Sequence, residues 1–205
     1  MSSLVKKTIT ATIVSDVSTS RPVALSIDWE PFFLNRDTGP DGEDLVEHLK
    51  KKYGDAAIAR FGKPGNPLDV AGSKVGITFN QNRRVINTSK PHQIMEHLKA
   101  SSVPAEKQDI FMDLLFQKYF EEGVDLSKTP ALLGLVESVD GLNRSEIEAM
   151  LESNEHSESV MAKDEKYKRG GVSGVPFFFI GGYKFSGAQP PEVFEEIINE
   201  MLDES

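Results

Sequence analysis

Gly171-Val-Ser-Gly-Val-Pro176-Phe-Phe-Phe-Ile180, followed by Gly181-Gly182 and then Tyr183-Lys-Phe-Ser-Gly-Ala-Gln189, is the stretch that decides the fold. Proline cannot donate to a strand ladder, so an apolar run beginning at Pro176 reads as a strand with the proline at its start, or as an edge strand. Gly181-Gly182 closes a hairpin onto a second strand. Pro190 and Pro191 suit the first turn of a helix, predicted over 192–202.

Upstream, Thr8 to Val14 and Ala24 to Glu30 alternate apolar with polar residues and read as two further strands. Between them and the proline-led strand lies a stretch of mostly helical pattern, about 120 residues of it in the expected insertion. Helices are predicted over 43–53, 89–99, 105–122, 130–139, 145–153 and 155–169. In the third of these, Ile110, Phe111, Met112, Leu114, Leu115 and Phe116 form an apolar surface broad enough for burial. The run Gly62-Lys-Pro-Gly-Asn-Pro67 and Gly72 read as loop punctuation. They are not a phosphate cradle, since no Gly-Lys-Ser/Thr follows.

The order helix, Gly-Val-Pro, strand, Gly-Gly, strand, Gly-Ala-Gln-Pro-Pro, helix resembles the C-terminal half of a thioredoxin fold. In wording the chain resembles the DsbA-like oxidoreductases of the FrnE type. The resemblance runs from Val14-Ser15-Asp16 through Trp29-Glu30-Pro31-Phe32-Phe33-Leu34-Asn35 to Ile86-Asn87-Thr88 and His92. It continues through Phe116 and Tyr119-Phe120-Glu121-Glu122-Gly123-Val124-Asp125 to the Gly-Val-Pro strand and Ser186-Gly187-Ala188-Gln189. It implies an α/β protein, a thioredoxin-like fold (8–35 with 155–203) carrying an inserted helical domain (36–154). It also implies thiol–disulfide exchange, with a cis Val175-Pro176 bond facing a Cys-x-x-Cys motif.

The chain departs from that pattern at one place. Relatives follow Ser-Asp-Val with the two cysteines and a helix of several turns. Here Val17 runs through Ser18-Thr19-Ser20-Arg21-Pro22 straight toward the next strand, and no cysteine occurs anywhere in the 205 residues. A parallel return needs a crossover of about a dozen residues or more. The ten residues from Ser15 to Ala24 could span such a return in extended form at about 3.3–3.6 Å each, but without the helix. The first crossover helix is therefore expected to be missing. The sheet face it would cover, including some of Ile9, Ile13, Leu25 and Ile27, is expected to be exposed or covered by a partner chain.

Without a thiolate, disulfide exchange, cysteine nucleophiles and cysteine metal sites are all excluded. The formal net charge of −9 argues against nucleic acid and anionic membranes as partners. The basic clusters Lys50-Lys51-Lys52, Arg83-Arg84 and 163–169 read as solvated faces. Residues 1–8 lack the apolar core of a signal peptide, and a cytoplasmic location is expected.

The candidate ligand-binding residues are Val175 and Pro176 as a backbone platform, with Asn35, Asn87 and His92 lining the facing cleft and Ala188 and Gln189 at the last helix. Asn87-Thr88-Ser89 also reads as plain helix capping. Ser18, Thr19 and Ser20 are weaker candidates. The kappa-class glutathione transferases and hydroxychromene carboxylate isomerases, which are similar in fold, use a serine there to hold glutathione, but on a helix N-terminus this chain lacks. His92 and His97 are five residues apart and share no helical face; with His48 and His156 isolated, no metal site is expected. No cofactor is expected. The ligands implied are a thiol-containing peptide or glutathione, and self-association is an open alternative. Three functional readings remain: a family member that has lost its redox centre, a non-catalytic binding module, and a serine-based transferase or isomerase.

Overall fold

The computed structural model describes residues 8–16, 22–55 and 65–203. A four-stranded sheet holds β1 (Thr8–Asp16), β2 (Pro22–Glu30), β5 (Phe177–Ile180) and β6 (Tyr183–Ser186) in the order β2-β1-β5-β6. Residues Glu43–Asp44 (β3) and Arg84–Val85 (β4) form a small separate ribbon. Between β2 and β5 lie α1 (Leu45–Tyr53), α2 (Pro67–Ser73), α3 (Ser89–Ala100), α4 (Ala105–Phe116), α5 (Thr129–Glu137), α6 (Arg144–Ser153) and α7 (Ser157–Arg169). The last helix, α8, spans Pro191–Asp203. This is a thioredoxin-like α/β fold with a helical insertion.

The expected parallel return between the first two strands is overturned. β1 and β2 pair antiparallel, from Thr8↔Glu30 to Asp16↔Pro22, while β1 runs parallel to β5. The strands reach further toward each other than their alternation suggests, so only residues 17–21 connect them. A short link can join antiparallel neighbours but not a parallel pair. Pro176 lies just before β5, which sits between β1 and β6, so its strand is not an edge.

Alternation on β5 places one helix on each face of the sheet. Phe178 and Ile180 are buried with Ile197 of α8, and Phe178 meets Phe194 edge-to-face at 4.9 Å. Phe179 points the other way, 5.9 Å from the Tyr167 ring of α7. The larger core lies among α3 to α6, with Ile94, Phe111, Met112, Leu115, Leu132 and Val136 fully buried. Trp29 of β2 belongs to that core, and Ile27 packs against both cores. Of the residues expected on an uncovered face, Ile27 is thus half-buried; the side chains of Ile9, Ile13 and Leu25 lie outside those described.

Local signals set most helix ends. Asp44 caps α1 through Val46 and Glu47 N–H, Asn66 caps α2, and Asn143 caps α6. Three expectations change. Glu43 is in a strand and α1 starts at Leu45. Pro67 to Gly72 is helical, because Asn66 supplies the cap and Pro67 tolerates the first turn. The 105–122 helix is α only to Phe116 and continues as a π turn over Gln117–Glu121. In that turn Tyr119 is fully buried and its hydroxyl donates to the Arg84 carbonyl at 2.7 Å.

Candidate functional site

Helix α7 delivers the chain to the proline. Its end is wound tightly, with Gly170 N–H on the Lys166 carbonyl at 2.9 Å and Val172 N–H on the Tyr167 carbonyl at 3.0 Å. Val172 is buried, and Ser173, Gly174 and Val175 follow. The Val175–Pro176 bond is cis. The Pro176 carbonyl accepts from Gly187 N–H at 2.8 Å, tying the segment to the end of β6. Among the described residues nothing bonds the N–H or C=O of Val175, which is half-buried. Polar backbone in that state needs water or a ligand. Gln189 folds back onto the Ser186 carbonyl at 2.9 Å, and Ala188 is exposed.

Asn35 lies in the turn that follows β2. Its side-chain oxygen accepts from Asp37 N–H at 2.9 Å, which leaves its amide nitrogen outward on an exposed residue. Asn87 donates to the Thr38 carbonyl at 2.8 Å and accepts from Ser89 N–H at 2.9 Å. It therefore joins that turn to the start of α3. Thr88 makes no side-chain cap, so the capping there comes from Asn87 alone.

His92 has left the surface entirely. It is 2% exposed, and its ring meets Phe33 edge-to-face at 5.0 Å. Burial pushes its pKa down to about 4, against the opposing charge of Asp164 and a hydrogen bond from the ring to the Phe32 backbone. Nε2 is buried without a partner. A neutral imidazole held this way supports the turn rather than touching a ligand.

The basic clusters are not all solvated. Arg83 is 4% exposed, bonded to the Asn80 carbonyl at 2.6 Å and lying over the Tyr119 and Phe120 rings. Lys163 reaches Glu96 at 2.8 Å and Glu30 at 3.2 Å. Lys99 reaches Asp28 and Glu30, both at 2.8 Å. Burial pulls the Lys99 ammonium down, but the carboxylates of Glu30 and Asp28 outweigh it and hold it above its usual value. Burial, then the charges of Glu30 and Asp28, push the Tyr167 phenol well up. These groups link β2, α3 and α7 on one face of the sheet, because Asp28 and Glu30 alternate with the core-facing Ile27 and Trp29.

A sequence profile of the DSBA-like thioredoxin domain matches residues 7–199. The chain belongs to that family. In fold it is similar to the crystal structure of a protein described as a probable DsbA oxidoreductase from Streptomyces coelicolor. That likeness has a TM-score of 0.72 and 23% identity, over 85% of this chain and 74% of the other. No curated relative matches the sequence.

The weaker candidates Ser18, Thr19 and Ser20 lie outside the described residues. His156 is not isolated, as the sequence suggests. It lies just before α7, with its Nε2 3.4 Å from His97 Nδ1, and His97 Nε2 meets Glu146 at 3.1 Å. No spacing rule reveals a pair 59 residues apart. Among the described residues no group of three or more His, Cys, Asp or Glu could hold a metal. No helix among them is long and apolar enough to cross a membrane. Asp164 is the residue the sequence reading missed: its i,i+4 spacing to Lys168 is shared by Glu165 and Arg169 on the same helix and does not single it out. It is fully buried, yet ionically paired to the turn that carries Asn35.

Proposed function

We propose that this protein is a redox-silent, FrnE-type member of its family, whose remaining role is to hold a ligand without covalent chemistry. The supporting observation is double: a chain without cysteine, and a Val175 whose N–H and C=O find no partner among the described residues. Disulfide exchange proceeds by thiolate attack on sulfur, and no side chain here replaces that nucleophile. A backbone donor and acceptor on one residue can pair with an extended peptide as a strand does. The ligand is a peptide or a glutathione-like molecule, held between the thioredoxin-like part (8–35 with 155–203) and the inserted helical part (36–154), with Pro176, Asn35 and Gln189 at its border. The cell compartment in this reading is the cytoplasm, and the partners are such ligands or a second copy of the chain, not nucleic acid or membrane.

Two measurements test this. The purified protein is expected to leave insulin disulfides unreduced above the uncatalysed rate with thiol contaminants removed; turnover that persists would overturn the redox-silent reading. Reduced glutathione, or an extended peptide of mixed sequence, added to 15N-labelled protein is expected to shift the amides of Ser173, Gly174 and Val175. Saturating amounts of both probes with no shift there would remove the binding role.

A further inference from the structure

Asp164 is the one carboxylate in the described residues with no exposed surface at all. One of its oxygens accepts from the Phe33 backbone N–H at 2.8 Å. The other accepts from Arg36 Nε at 2.6 Å and from Lys168 Nζ at 3.0 Å, and lies 2.6 Å from a terminal nitrogen of Arg36. Lys168 in turn donates to the Phe33 carbonyl at 2.7 Å and lies over the Phe32 ring at 5.0 Å. Both polar groups of the Phe33 backbone are thus satisfied by α7 side chains rather than by a strand or a helix.

Burying a carboxylate is costly unless charge and hydrogen bonds compensate it, and here two cations and an amide do so. Lys163 already ties α7 to Glu30 at the end of β2, and the Asp164 arrangement extends that tie to the turn beyond it. Asp164 and Lys168 are one turn apart on α7, whose end is wound through Val172. Three residues beyond Val172 comes Val175, within about 10 Å of extended chain. On the other side, Phe33 and Arg36 bracket Asn35, and Asn87 fastens the same turn at Thr38.

We propose that Asp164 is a positioning residue of the cleft, locking the Phe33–Arg36 turn to α7 so that Asn35 and the Ser173–Val175 backbone are presented in one fixed relation. This rests on the reading of that cleft as the ligand site. Asp164 acts through its neighbours, since a fully buried carboxylate whose two oxygens are both engaged has nothing left for a ligand.

The test needs no ligand, so its outcome is separate from that of the glutathione and peptide titrations. In the unmodified protein the Phe33 amide is expected to exchange with solvent at least about tenfold more slowly than the Asp37 amide, whose acceptor is exposed, since bonds to charged groups are the stronger ones. Equal exchange would overturn the proposal whether or not any variant folds. Asp164→Asn is then expected to speed Phe33 exchange about tenfold and to move the amide resonances of both Asn35–Thr38 and Ser173–Val175. Glu165→Gln, next to it on the exposed side and paired only with Arg169, is expected to move neither group. Movement confined to α7 and Phe33, with Asn35 and Val175 unchanged, would show Asp164 to be a packing residue alone.

Discussion

Acidification should unfold this protein partly through one histidine. His92 is 2% exposed, and its pKa falls from 6.5 to about 4, chiefly through burial. The folded state therefore holds the ring neutral in a range where the unfolded chain binds a proton. Between pH 6.5 and 4 the unfolded state carries the extra proton, so stability rises with pH in that window and is lost as pH falls through it. Above about pH 7.5 the residue contributes no slope, and the loss is complete only below about pH 3. At about 1.36 kcal/mol for each pKa unit, the loss is roughly 3 kcal/mol, a large part of the 5–15 kcal/mol typical of a domain. Urea unfolding of the wild type and of His92→Gln from pH 8 to pH 4 measures it. Because the other histidines and the carboxylates titrate in both proteins, their contributions cancel in the difference. The variant's deficit at neutral pH should shrink by roughly 3 kcal/mol toward pH 4. A difference flat with pH, or an NMR titration of the ring with its midpoint at or above 6.5, would refute the reasoning. It would mean that the charge of Asp164 outweighs burial.

Phe111 has no exposed surface among the α3–α6 core, so Phe111→Ala should cost about 3–5 kcal/mol in the same unfolding assay. Lys99→Met leaves Asp28, Glu30 and Glu96 facing one another with Lys163 alone to balance them. It should cost about 3–5 kcal/mol near neutral pH and less in acid, and equal cost at pH 7 and pH 4 would count against the buried ionic network. With the crossover helix absent, dye binding by 8-anilinonaphthalene sulfonate or concentration-dependent association by analytical ultracentrifugation is expected. A monomer that binds no dye would show the sheet face to be covered by its own chain.

How much of this was legible in the residues depends on how local each signal was. Pro176, Gly181-Gly182 and Pro190-Pro191 placed two strands and a helix within a few residues of where they lie, because proline and glycine restrict or free the backbone on their own account. Apolar spacing likewise placed α3 and α5 to within two residues. The lack of cysteine excluded thiolate chemistry without any structure, since no fold can supply a missing thiolate. The candidate site was legible only in part: Asn35 is exposed and Val175 half-buried, while His92 is sealed behind Phe33.

What the tertiary structure decided has a different character. The direction of β1 against β2 turned on how far each strand runs, which strand pairing sets and alternation does not. Arg83, Lys163 and Lys168 have the same side chains as any solvated cation, and only the packing of Tyr119 beneath Arg83 takes it out of water, while Glu30 and Asp164 hold the two half-buried lysines in ion pairs. His97 and His156 meet because α3 and α7 pack side by side. Residue type and spacing fix what the backbone does over a turn or two. The state of a charge depends on which distant groups replace its water, and that is determined only when the helices close on the sheet.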